Sequence, residues 1–366
     1  PNSTQSLNWG IAVKQLALSG IRLHYVQPAQ GEQPAIDREL VLNDSSARDV
    51  VSWEQTNDVP MQADMSIGEG RIRLSGRITP FGDRIAGHLE VVTHRFALEL
   101  IGPLATGGGL RELTGLVDSD QRIDFEYDAD NALDVTIAGQ TTGHGSTLAM
   151  DNGTRMRASQ LGWQGDIQLQ LLRAEGQPST IASDGKIDAK GFKVANGDSL
   201  DFAQNAVHWQ GKTQLTLAAD ATQLTLDGQY QSTGPQLKSG ATTIAGEQLT
   251  WNGQFSGEFG ANASQFGIDG SIDTASPRVS GSSFDVKTPG LNWQGKIDTA
   301  LGEPMTVTTD GRLKTKPLSI DADSLQASTD ALDWQGKLRV AGAGDIDSDG
   351  RLRSDRIALS SPDTLN

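Results

Sequence analysis

Apolar and polar residues alternate along most of the chain, with the period of β-strands rather than of helices. Val207, Trp209, Gly211, Thr213, Leu215 and Leu217 share one face of an extended segment. Leu224, Leu226, Gly228 and Tyr230 continue that face on the next, while His208, Gln210, Lys212, Gln214 and Thr216 take the other. The pattern returns at Leu249, Trp251, Gly253 and Phe255 and then at Phe266, Ile268, Gly270 and Ile272. One side of each strand is oily and the other wet.

The recurrence is a true repeat. Its anchor is a tryptophan cassette, Leu161-Gly162-Trp163-Gln164-Gly165, Val207-His208-Trp209-Gln210-Gly211, Leu249-Thr250-Trp251-Asn252-Gly253, Leu291-Asn292-Trp293-Gln294-Gly295 and Leu332-Asp333-Trp334-Gln335-Gly336, with steps of 46, 42, 42 and 41 residues. An Asp-Gly step runs in phase with it, at Asp184-Gly185, Asp227-Gly228, Asp269-Gly270, Asp310-Gly311 and Asp349-Gly350. Each period holds about four strands of five to eight residues. Stacked at about 4.8 Å, one period would advance roughly 19 Å and five on the order of 95 Å.

A face oily on one side only can be buried in a two-layer sandwich, in a parallel β-helix, or in a single curled layer. The expected fold class is mostly β, an elongated repeat array of short antiparallel strands forming a curled single-layer sheet (trough or groove). A β-solenoid is the alternative. Residues 1–105 read as a β-meander with strands at Trp9 to Leu18, Ile21 to Tyr25, Leu40 to Leu42, Val51 to Trp53, Met61 to Ile67, Ile72 to Ile78 and Ile85 to Val91. One short helix is expected near 94–104, because Phe96, Leu100 and Ile101 stand near helical spacing and Gly102-Pro103 ends the run. Gly107-Gly108-Gly109 marks a joint, 106–160 an irregular β segment, and 161–366 about five repeats of roughly 42 residues.

Composition narrows the function. With 30 basic against 46 acidic residues the formal charge is −16, which repels phosphate backbones, so nucleic acid is not an expected partner. The absence of cysteine excludes disulfides and thiolate metal sites. No apolar stretch approaches the roughly 20 residues that span a bilayer. Because the chain starts at Pro1 without a signal-like leader, any membrane anchor is expected to lie outside it.

The opening pattern, Trp9 followed by Val13-Lys14-Gln15-Leu16-Ala17-Leu18-Ser19-Gly20-Ile21-Arg22-Leu23, then Gly70-Arg71-Ile72-Arg73-Leu74-Ser75-Gly76-Arg77-Ile78-Thr79-Pro80 and the tail Phe96 to Leu104, resembles the AsmA-like superfamily and its large periplasmic members. The resemblance covers about residues 8–105, and beyond 161 it is one of texture. It implies a Gram-negative cell-envelope protein, periplasmic and held by an inner-membrane anchor outside this fragment, with outer-membrane or envelope proteins as partners. It also implies a curled sheet similar to those of bridge-like lipid-transfer proteins, which shield acyl chains between two membranes. The Trp-Gln-Gly cassette is not a feature of that family.

The expected ligand is phospholipid or another acyl lipid. The expected lining is Trp163, Trp209, Trp251, Trp293 and Trp334 with Leu161, Leu215, Leu224, Leu226, Leu249, Phe255, Phe266, Ile268, Leu291, Ile297, Leu332 and Leu338. The alternative is a spacer or adhesin-like stalk whose rungs pack dry on one another.

No catalytic residue, cofactor or metal is expected. Asp345-Ile346-Asp347-Ser348-Asp349-Gly350 resembles the first half of a calcium loop, but Arg356 stands where the bidentate glutamate belongs. The five histidines, 24, 88, 94, 144 and 208, lack metal-ligand spacing. Gly143-His144-Gly145-Ser146 offers a nucleophile no oriented base. The acidic passage Asp118 to Asp134 reads as a solvated strand edge rather than as glycosidase carboxylates.

Overall fold

The computed structural model describes residues 10–28, 36–54, 56–100, 109–128, 132–171, 177–197, 199–218, 220–260, 264–302, 305–323, 325–342 and 345–361. These form one antiparallel sheet of 24 strands. Ten come first: β1 (Ala12–Gln27), β2 (Ile36–Val51), β3 (Val59–Ile67), β4 (Gly70–Thr79), β5 (Arg84–Ala97), β6 (Leu110–Asp128), β7 (Leu133–Met150), β8 (Thr154–Leu171), β9 (Ser179–Asn196) and β10 (Leu200–Leu217). Longer and shorter strands then mix: β11 (Ala221–Thr233), β12 (Gln236–Ser239), β13 (Thr242–Ala245), β14 (Gln248–Gly260), β15 (Ser264–Ala275), β16 (Arg278–Ser280), β17 (Phe284–Lys287), β18 (Gly290–Leu301), β19 (Thr306–Thr315), β20 (Leu318–Ala322), β21 (Leu325–Thr329), β22 (Leu332–Ala341), β23 (Asp345–Arg353) and β24 (Ile357–Ser360).

The short strands are not separate rungs. β10 pairs with β11 through its C-terminal half and with β12 through its N-terminal half, so β11 and β12 are two halves of one kinked strand. β13 and β14 answer them in the same way. After the first ten strands, seven such kinked rungs carry the meander to β23 and β24. From β10 onward there are four strands per period, as the sequence predicts, but only two rungs, and from Trp163 to Trp209 the two rungs are the unbroken strands β9 and β10. One repeat therefore advances about 10 Å rather than 19 Å, and the five tryptophan units cover roughly 48 Å, half the expected length.

Pairing runs unbroken from β5 into β6 and from β8 into β9. Among the described residues β1 pairs only with β2 and β23 only with β22, so the sheet is open and does not close into a barrel. Its surface is 22,891 Å². A compact protein of 38.9 kDa would expose roughly 14,000 Å². The excess is that of a single layer without a second sheet. Among the described residues only Val59, Ala149, Ala158, Ala189, Trp293 and Ala341 are buried apolar side chains.

Three expectations are corrected. Ser19-Gly20 does not separate two strands, because β1 runs straight through with Gly20 at φ +67°. The helix near 94–104 is instead the end of β5 and a single 3-10 turn, Leu98–Leu100, with 101–104 outside the described residues. Its physical reason is a bulge: Arg95 sits at φ +48° and shifts the register between Thr93 and Phe96, which turns a two-residue period into a three-residue one. The acidic passage is no edge, since β6 pairs on both sides. Trp9 lies outside the described residues.

Candidate functional site: an apolar face with an indole and glycine file

Directly paired residues in an antiparallel sheet point to the same side. Following the pairs rung by rung therefore traces files across the sheet. One file reads Trp163, Ile187, Trp209, Tyr230, Trp251, Ile272, Trp293, Leu313, Trp334, Leu352. Two residues along each strand lies a file made wholly of glycine, through positions 139, 165, 185, 211, 228, 253, 270, 295, 311, 336 and 350. Beyond it come Leu226, Phe255, Ile268, Ile297 and Leu338, then Leu215, Leu224 and Phe266. On the other side of the indoles stand Leu161, Leu249, Leu291 and Leu332. All seventeen residues expected to line a groove thus lie on one face.

The glycines and indoles fit each other. At each tryptophan-strand glycine, φ is +146° to +158°, and a Cβ would lie 2.0–2.3 Å from the carbonyl oxygen of the aspartate in the next strand. Only glycine permits that approach. The indoles lie on the space left free: a Cβ on Gly228 would meet Trp209 at 3.0 Å, one on Gly311 would meet Trp293 at 2.7 Å, and one on Gly350 would meet Trp334 at 2.8 Å. Trp209 stacks on Trp251 with centroids 5.9 Å apart, and Trp293 on Trp334 at 6.2 Å. Their backbones, two rungs apart, are separated by about 9.6 Å. The rings lean together on this face.

Further along each rung a second apolar file appears, Leu148, Met156, Val194, Phe202, Leu237, Ile244, Val279, Val286, Ile320, Ala327, Leu359. Each member stands seven positions from the indole-file residue of its own rung, as Leu237 does from Tyr230 and Ile244 from Trp251. An odd step would place it on the wet face of a regular strand. On four rungs a left-handed residue accounts for the odd step: Gly145 in β7, Gly191 in β9, Gly234 just after β11 and Ser276 just after β15, at φ +50° to +59°, each stand four positions past the indole file. Such a residue breaks the alternation. The hydrogen bond from Gln204, which shares a side with Phe202, to the hydroxyl of Tyr230 shows the two tiers facing the same way.

The apolar face remains open. Fifteen of the seventeen expected residues are partly buried, Trp293 is 8% exposed and Leu161 39%. The hollows of 390–530 Å³ are lined mainly by wet-face residues, among them Arg77, His88, Asp124, Asp184 and Lys212, and two of them also touch Phe266 or Leu291 of the apolar face.

Aspartates alternate with lysines or a glutamine across the wet face, where Asp227, Asp269 and Asp310 lie between Lys212, Gln254, Lys296 and Lys337. Each of the five histidines meets an aspartate there, His24 with Asp37, His88 with Asp124, His208 with Asp188, and His94 and His144 with the same Asp118. Among the described residues no group of three or more potential ligands could hold a metal. Asp345 to Gly350 lies in strand β23, not in a calcium-type loop. His144 and Ser146 flank the Gly145 bulge in β7, and the imidazole turns to Asp118, 3.5 Å away.

Sequence reasoning missed the upper apolar file, although the repeated seven-residue step was there to find it. The chain matches no family model, no curated protein and no solved structure. Among the described residues no helix is long and apolar enough to cross a membrane.

Proposed function

We propose that this chain is a non-enzymatic carrier of acyl lipid, with phospholipid or a similar chain-bearing molecule lying on the indole and glycine face. The observation that carries the reading is an apolar face continuous across the repeat and covered by no second layer. Each CH₂ group a ligand lays against it would contribute about 0.8 kcal/mol. Files of aliphatic and indole groups, repeated rung after rung, suit a ligand that is itself repetitive and apolar. A dry stalk would bury these side chains, whereas here most stay partly exposed.

In this reading the protein works in the periplasm, held by an inner-membrane anchor outside this fragment and meeting outer-membrane or envelope proteins. That placement rests on the AsmA-like resemblance of residues 8–105. Phospholipid carrying bromine along its acyl chains tests the ligand. It should quench the fluorescence of Trp209, Trp251, Trp293 and Trp334, and native mass spectrometry should find lipid bound to the purified chain. Indoles unquenched by brominated chains, in a protein that carries no lipid, would refute the reading.

A further inference from the structure

We infer that the free edge of β23 and β24 is an acceptor for one more antiparallel strand of the tryptophan type, reading apolar-x-Trp-Gln-Gly-Lys. The inference rests on strand pairing and is independent of the lipid reading. The sheet from β8 onward alternates two kinds of rung. Tryptophan strands are β8, β10, β14, β18 and β22, and Asp-Gly strands are β9, β11, β15, β19 and β23. Each of the first four Asp-Gly strands is clasped between two tryptophan strands. Among the described residues the fifth, β23, has only β22.

What β23 lacks can be read off its sisters. Of the four residues that stand between two indoles, Tyr230, Ile272 and Leu313 are partly buried and Ile187 is 38% exposed, whereas Leu352, which among the described residues faces Trp334 alone, is 54% exposed. The sister aspartates Asp184, Asp227 and Asp269 each face one lysine and Asp310 faces two, Lys296 and Lys337, whereas Asp349 has Lys337 on one side and, among the described residues, no strand on the other. In the upper tier Leu359 faces only Ala327 and is 68% exposed. The outer N–H and C=O groups of β23 complete an unpaired ladder edge. The partner that supplies the missing indole, a cation and, seven residues before the indole, an apolar side chain for Leu359 is a strand of the kind the chain makes three times, at β10, β18 and β22. A second β23 meets the need less well, because with Gly350 opposite its own copy Leu352 would face Ser348 instead of an indole.

The absence of cysteine makes disulfide trapping clean. In the 366-residue chain Leu352→Cys is introduced, and a peptide of residues 284–301 carrying Trp293→Cys is added in glutathione redox buffer. The expected result is a mixed disulfide formed at least tenfold more than with cysteine at Asn292 or Gln294, since a one-residue slip moves the thiol to the opposite face. Leu359→Cys with Val286→Cys in the peptide should trap the upper tier in the same register. Added peptide should slow hydrogen exchange of the β23 amides and leave those of β1 unchanged. Equal yields at all three peptide positions, trapping no better than with a scrambled peptide, or a dimer of the chain joined through β23 that shuts the peptide out would each overturn the inference.

Discussion

Glycine decides the fold at the scale of single residues. Gly253 sits at φ +156°, and a Cβ there would be 2.0 Å from the Asp269 carbonyl oxygen. Gly253→Ala should therefore cost about 1–3 kcal/mol in urea unfolding. Gly302 has open space around its Cβ position, and Gly302→Ala should fall within about 0.5 kcal/mol of the parent. Equal effects would mean that the glycine file is not a steric requirement. The wet face has its own single-residue dependence. Asp64 is held below the ordinary carboxyl range chiefly by the Arg71 hydrogen bond, Asp118 by the backbone N–H of Arg95, and Asp333 by Arg312. A depressed carboxyl stabilises the fold fully above its unfolded value of about 3.9. That contribution disappears as pH falls through the folded value. Asp118→Asn should lower the urea midpoint at neutral pH and reduce its further fall below about pH 4. An unchanged acid slope would remove Asp118 from the account. The need for glycine was legible in the cassette, but the left-handed φ was not, because small residues alone do not reveal which way a backbone turns.

At the scale of the strand, left-handed residues explain where sequence reading went wrong. Phe96 looked helical and Gly20 looked like a turn because a left-handed residue changes the parity of a strand without ending it. The parts of the Trp-Gln-Gly and Asp-Gly strands around the indole and glycine files were legible, since there the alternation is strict, but the upper parts beyond the left-handed residues were not. Ser276 is the test of the line of left-handed residues. It occupies at φ +50° a place held by glycine in β7, β9 and after β11. Ser276→Gly should raise the unfolding midpoint by up to about 1 kcal/mol in stability, as the side chain gives up a conformation that costs L-residues about 1–2 kcal/mol. A loss would show that the serine side chain contributes more than its backbone costs. Packing at this scale is carried by the indoles. Trp293, 8% exposed and stacked on Trp334, should cost about 3–5 kcal/mol on change to alanine. Trp53, in a turn and 59% exposed, should cost under about 1 kcal/mol.

For the whole molecule the issue is whether the apolar face acts as a set of separate seats or as one lane. The files of pairing are continuous, and a lipid moving along them would pass each rung in turn without leaving apolar contact. Ile268 stands midway in the repeat, between Phe255 and Ile297. A charge there would have to be desolvated by any acyl chain that crosses it, at several kcal/mol. If the face is a lane, Ile268→Asp should reduce transfer between two vesicle populations more than tenfold while the amount of lipid bound at saturation falls only by the share of one rung. Separate seats predict the opposite balance, with transfer reduced no more than binding. The same charge at Ser348, on the outermost rung, would interrupt no path between two inner rungs and should leave most of the transfer intact. Together the two variants separate a conducting face from a merely adhesive one, because both introduce one aspartate on the same face, one inside the repeat and one on its outermost rung, provided the urea midpoint shows that the chain with Ile268→Asp remains folded.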